Sequence, residues 1–163
     1  MRPPRLALVS VLAFSLLTGC ASSQSAPETS GKQHHAVGGD LQETTASLDE
    51  TPTFLESVDP QIKEVYQIAA KHIDVLEYMP CYCGCGESAG HLNNQHCFIN
   101  EVKEDGSVVW DDHGTRCGTC LEIAYVASGL KDQGKSLTEI RQIIDDHYKE
   151  GYAKPTPTPM PPA

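Results

Sequence analysis

Three stretches of this chain repeat apolar residues at the three- and four-residue spacing of a helix face, and two shorter runs have the β-branched character of strands. Ile62, Val65, Tyr66, Ala69, His72, Ile73 and Leu76 fall on one stripe and predict a helix from Pro60 to Tyr78. Asp59 stands as its N-cap, Pro60 occupies the first helical position, where a missing N–H costs nothing, and Pro80 stops it. A second helix is expected from Cys117 to Ser128, ended by Gly129, with Cys117, Cys120, Leu121, Ala124 and Tyr125 on one face. The third opens on Ser136-Leu137-Thr138-Glu139, a capping-box pattern, and continues through Leu137, Ile140, Ile143, Ile144, His147 and Tyr148 to Gly151. Between the first two, Gly86, Gly90, Asn93-Asn94 and Asp105-Gly106 signal turns. Cys97-Phe98-Ile99 and Val108-Val109-Trp110 flank the Asp-Gly as arms of a short β-hairpin.

Outside these stretches the pattern fails. From Ala21 to Thr53 the chain is Ser, Thr, Gly, Gln and acidic residues with few large apolar side chains, too few to offset the entropy of ordering. Residues 20–53 are therefore expected to be a disordered tether, with His34-His35 a solvated pair. Lys154 to Ala163 holds five prolines and reads as an extended tail, residues 153–163, outside any core. The expected fold is mainly α: a small three-helix domain over residues 54–152 with an irregular Cys/His-rich insertion.

The N-terminus changes the compartment. Arg2 and Arg5 precede an apolar run from Leu6 to Leu17, shorter than the roughly 20 residues a membrane-spanning helix needs. The run ends in Leu17-Thr18-Gly19-Cys20, which resembles a bacterial lipobox. Residues 1–19 then read as a lipoprotein signal peptide and Cys20 as the acylated first residue of an exported, lipid-anchored protein. The net charge of −10 becomes more negative once Arg2 and Arg5 are removed, and no basic patch interleaved with aromatics appears. Nucleic acid is excluded as a partner.

With Cys20 assigned to lipid, six cysteines remain: Cys81, Cys83, Cys85, Cys97, Cys117 and Cys120. An even number in an exported chain normally reads as disulfides. Two features point elsewhere. Cys81, Cys83 and Cys85 sit at every second position on a glycine-loosened loop, where pairing with one another is strained. His91, His96 and His113 share the same forty-residue block, and a disulfide framework has no need of histidine. The nine residues are the candidate metal ligands. Cys117-Gly118-Thr119-Cys120 at a helix start can chelate through two sulfurs, and the helix N-terminus favours thiolate. Soft, thiolate-dense sites suit Cu(I), with zinc as the alternative ion and three disulfides as the metal-free alternative. His72 and His147, on apolar stripes, read as satisfied boundary histidines, and Asp111 and Asp112 as loop caps or supporting partners.

Pro80-Cys81-Tyr82-Cys83-Gly84-Cys85-Gly86, followed by His91, Asn93-Asn94, Cys97-Phe98 and a helical Cys117-x-x-Cys120, resembles the PCYCGC-motif proteins, exported and often lipid-anchored in bacteria. The resemblance covers about residues 55–152 and bears on domain boundaries, while metal binding is an inference from the cysteines. Three functions compete: metal handling or delivery at a membrane surface with a donor or acceptor protein, thiol–disulfide exchange through Cys117 and Cys120, and a disulfide-stapled binding module. A thioredoxin-like fold is disfavoured because the residues after Cys120 read as helix and proline tail, with no later strand.

Overall fold

The computed structural model describes residues 30–162. The signal segment, Cys20 and the first part of the expected tether lie outside the described residues. The expected helices form, with two changes of boundary. The first stripe is divided into α1 (Pro60–Lys71) and α2 (Ile73–Leu76) by His72, whose backbone leaves the helical region at φ −123°, ψ 34°. Asp59 caps α1 as expected, accepting from the Gln61 N–H at 2.8 Å. A short turn, α3 (Cys85–Ser88), follows in the motif. The second helix, α4 (Gly118–Asp132), runs straight through Gly129. The third, α5 (Leu137–Tyr148), starts on the full capping box of Ser136 and Glu139.

The mainly-α expectation is overturned by a four-stranded antiparallel sheet in the order β1-β2-β4-β3. The hairpin around Asp105-Gly106 is present as β3 (Ile99–Val102) and β4 (Val108–Asp111). The unexpected half is β1 (Gln33–His35) and β2 (Leu41–Thr45), which lie in the stretch expected to be a disordered tether. β2 pairs with β4 along its length, Gln42 opposite Asp111 and Thr45 opposite Val108. It escapes an apolar-pattern reading because its buried side chains are polar and individually satisfied. Gln42 donates to Asp111 at 2.8 Å, Thr45 accepts from the Trp110 indole N–H at 2.8 Å, and the Glu43 carboxylate accepts from the Thr53 N–H and hydroxyl at 2.8 Å each. A buried polar strand of this kind is stable only when each group finds its partner, and composition does not report partners.

The proline tail, expected to lie outside any core, belongs to the packing. Thr156 and Thr158 are buried. The Thr156 N–H donates to the Cys81 carbonyl at 3.0 Å, and its hydroxyl accepts from the Cys81 N–H at 2.9 Å. Arg141 on α5 anchors the next turn, donating to the Pro159 carbonyl at 2.9 Å and the Tyr78 carbonyl at 3.1 Å.

α1 and α4 pack together, and the apolar core lies between them and the sheet. Tyr66, Phe98 and Trp110 are its aromatic centre. Tyr66 meets Phe98 edge-on at 5.0 Å, and its hydroxyl donates to the Asp111 carbonyl at 2.7 Å. Full burial of a ring such as Phe98 contributes about 1.5–3 kcal/mol. Cys81, Cys85, Cys97 and Cys120 belong to the same buried cluster, so the core is continuous with the sulfur-rich region.

Candidate metal centre

Four separate pieces of chain bring their sulfurs and imidazoles to one place. The motif loop carries Cys81, Cys83 and Cys85. Gly84, at φ +92°, lets the loop reverse into α3, a conformation L side chains rarely adopt. A side chain at Gly86 would press on Thr156, 3.2 Å from the position of its first carbon, so that glycine keeps the tail seated. Tyr82 points away, donating to Asp145 at 2.7 Å and stacking on Tyr148 at 5.4 Å. Cys97 closes a single 3₁₀ turn, Gln95–Cys97. His113 sits in another, Asp112–Arg116, whose N-terminus is capped by Asp111. Cys117 caps α4, its sulfur accepting from the Cys120 N–H at 3.4 Å. Asn94 ties two of these pieces together, its N–H donating to the Met79 carbonyl at 2.7 Å and its amide to the Cys120 carbonyl at 3.2 Å.

All six cysteines are free thiols. Cys120 lies 3.0 Å from Cys117, 3.1 Å from Cys81 and 3.5 Å from Cys83, sulfur to sulfur. Cys81 and Cys83 are 3.3 Å apart, and Cys85 and Cys97 3.8 Å. These separations are too long for a disulfide bond, about 2.05 Å. They fall at or below the roughly 3.8 Å edge of a tetrahedron of sulfurs set about 2.3 Å from a shared ion. His91 brings Nδ1 to 3.4 Å from the Cys97 sulfur, and His113 brings Nε2 to 3.6 Å from the Cys83 sulfur.

Each of these imidazoles has its second nitrogen on the same carboxylate. Asp40 Oδ2 is 3.2 Å from His113 Nδ1 and 3.5 Å from His91 Nε2. Its other oxygen accepts from Arg116. Asp111 adds a second buried carboxylate 3.9 Å from His91 Nε2. A carboxylate behind an imidazole that faces a soft donor set is the arrangement that fixes ring orientation at metal centres.

The electrostatics of the cluster follow from crowding. The contact with Cys120, then that with Cys83, holds the Cys81 thiol down to about 5. Cys83 is lowered too, first by Cys117. Burial raises Cys97, but its contacts with Cys120, Cys81, Cys85 and His91 outweigh this and carry it well below the usual thiol range. Cys120 is driven upward, first by Cys117 and Cys81. Cys85 is lowered by Cys120 and raised more by its other sulfur neighbours. Beside Cys117 and Cys83 the His113 imidazole rises to about 11. Six thiolates cannot share this volume without positive charge among them. An ion that enters must displace protons, so its affinity rises with pH.

The structure brings together eight of the nine sequence-derived candidates. The ninth, His96, joins none of the donor groups: its Nδ1 accepts from the Leu92 N–H at 3.4 Å, and it meets His91 edge-on at 6.3 Å. His72 is satisfied at both nitrogens, by the Ile68 carbonyl and by Asp132, each at 3.0 Å. His34 and His35 are exposed on β1. Asp111 is the supporting partner expected of it. Asp40 and Thr156 were invisible to sequence reasoning, one in the polar stretch and the other in the proline tail, and neither carries a local signal of burial.

A family model described as a protein of unknown function with PCYCGC motif matches residues 8–161. The match reaches beyond residues 55–152 at both ends, taking in β1, β2 and the docked tail. No curated protein and no solved structure matches the chain.

Proposed function

The chain belongs to the PCYCGC family, and from the convergence of its sulfurs and imidazoles we propose that it binds Cu(I) at an exported, membrane-anchored site, for buffering or delivery. The observation that carries this reading is the set of six free thiols packed with His91 and His113, both imidazoles backed by Asp40. Soft thiolate donors suit Cu(I), which shares sulfurs between ions. In an oxidising compartment, thiols at these separations persist only if an ion or a reductant protects them. Lipid on Cys20 would hold the domain at a bacterial membrane surface, where a donor or acceptor protein exchanges the ion. A second reading, zinc, is favoured by the donors falling into groups of four, Cys81/Cys85/Cys97/Cys120 and Cys83/His113/Cys117/Cys120.

The test is elemental analysis of the soluble domain purified anaerobically from its own host, with thiol titration before and after chelation. The expected result is copper bound to the chain and six thiols that react only after the metal is stripped. Zinc in its place selects the second reading. Three disulfides and no metal would overturn both, and a reversible Cys117–Cys120 disulfide alone would favour thiol exchange. Cys83→Ser is expected to lower metal content while leaving the far-ultraviolet circular dichroism of the helices unchanged.

A further inference from the structure

We infer that the site holds two ions, not one, bridged by the thiolate of Cys120. The inference rests on the metal-binding reading and adds its nuclearity. Eight donors are too many for one tetrahedral ion, and their grouping is specific. Cys81, Cys85, Cys97 and Cys120 place their sulfurs within 4.8 Å of one another, and so do the donor atoms of Cys83, His113, Cys117 and Cys120. The two sets have one member in common. Cys120 is also the sulfur with the most close sulfur neighbours: Cys81 of the first set at 3.1 Å, Cys117 and Cys83 of the second at 3.0 and 3.5 Å. A thiolate has lone pairs enough to ligate two soft ions, and among the described residues no other is placed to serve both sets.

Donor use argues the same way. One ion in the first set would leave Cys83 and Cys117 unligated, their sulfurs 3.5 and 3.0 Å from that of Cys120. A second ion uses both sulfurs and the ring nitrogen that already faces Cys83 at 3.6 Å. A third grouping, Cys85, His91, Cys97 and His113, takes two donors from the first set and one from the second, so it cannot be filled beside them. That leaves His91 with Nδ1 against the Cys97 sulfur at 3.4 Å, held from behind by Asp40 and Asp111.

The two positions differ in access. Every ligand of the inner set is at most 1% exposed, whereas Cys83 and Cys117 of the outer set are half-buried and the His113 side chain is 15% exposed. The outer ion is the one that exchanges.

The test is titration of the full chain, held anaerobically and stripped of metal by a chelator, with Cd(II), followed by native mass spectrometry and cadmium NMR. Binding of two ions per chain is expected, with one resonance for four-sulfur coordination and one for three sulfurs and a nitrogen, coupled to each other through the shared thiolate. Cys120→Ser should remove the coupling and reduce the stoichiometry from two to one. Cys117→Ala should abolish the three-sulfur resonance and keep the other. Saturation at one ion, or two uncoupled resonances, overturns the bridged pair while leaving metal binding intact; no binding at all defeats the metal reading itself. Because coupling is read in the unsubstituted protein, the outcome does not depend on whether Cys120→Ser folds. A chelator should strip the two ions in two phases, the three-sulfur resonance fading first, and loss of both at one rate would remove the distinction in access.

Discussion

The inner and outer halves of the sulfur cluster are built from the same residue types yet stand in different surroundings. Cys81, Cys85, Cys97 and Cys120 are core residues in the ordinary sense, packed with Met79, Phe98 and the inner face of α4. Cys83, His113 and Cys117 lie at the rim, where their neighbours are polar: Asp40, Arg116 and the turn that Asp111 caps. On the proposed reading the inner sulfurs would ligate from within the core, and the outer ones from its edge, where Cys83 and Cys117 are partly buried and packed against it. A protein that holds one ion while passing another needs this asymmetry, because a ligand woven into the core cannot open without cost and a rim ligand can.

The largest effect should come from cutting the inner half. Cys97→Ala removes a fully buried sulfur that touches both Cys85 and His91. With the inner ion lost as well, the unfolding temperature of the metal-loaded protein should fall by many degrees, since bound structural ions contribute folding free energy directly. In the chelated protein the same change should cost about 1–2 kcal/mol for the cavity alone. Cys117→Ala, at the rim, opens no core cavity and loses the weak sulfur cap on the Cys120 N–H, so it should cost about 0.5–1 kcal/mol in the chelated protein. Calorimetry of both variants, with and without metal, checks the ordering, and equal losses in the chelated state would erase the contrast between core and rim sulfurs.

Legibility in the sequence divides instead between the sulfurs and what supports them. The three helices and the β3–β4 hairpin announce themselves through apolar period, caps and the Asp-Gly turn, so the sulfurs carried on or beside those elements can be gathered from the sequence alone. The groups behind them cannot. Asp40 sits between β1 and β2, whose buried positions are Gln, Glu and Thr, and only the hydrogen bonds of the folded state reveal that such a strand is inside. Thr156 was hidden for the same reason: the tail's packing depends on two hydrogen bonds to the Cys81 backbone and on the space above Gly86. The break at His72 lies within an unbroken apolar stripe, so periodicity could not place it.

A middle-sized effect is expected from Asp40→Asn, which keeps the size of the side chain but removes the charge that His91, His113 and Arg116 share. Loss of such a supporting carboxylate typically weakens a metal site by about 10–100-fold. The loss should fall on the outer ion, whose ligand His113 is aimed by Asp40, with the four-sulfur position left within about twofold. Competition titrations against a chelator of known affinity measure the two separately. If the inner ion weakens as much, Asp40 acts through His91 and Cys97 as strongly as through His113, and the halves are not independent.

The smallest effect on the sulfurs should come from Glu43→Gln, although this substitution strikes the sheet hard. Burial pushes the Glu43 carboxyl up, but the bonds from the Thr53 N–H, from the Gln33 and Thr53 side chains and from the Phe54 N–H outweigh it and hold the group below its ordinary 4.5. A carboxylate depressed in the folded state stabilises above its unfolded value and loses that contribution as pH falls through the folded one. The amide introduced in place of the carboxylate would also turn an N–H toward groups that are themselves donors. Glu43→Gln should therefore destabilise the chain by about 1–3 kcal/mol near neutral pH, and the gap from the parent protein should narrow below about pH 4.5. Urea denaturation across that range reads the gap, and metal stoichiometry in the folded variant should stay unchanged. A gap that widens in acid would contradict the depressed carboxylate. An ion lost from the folded variant would mean that the sheet positions the sulfurs more directly than the single carboxylate of Asp40 allows.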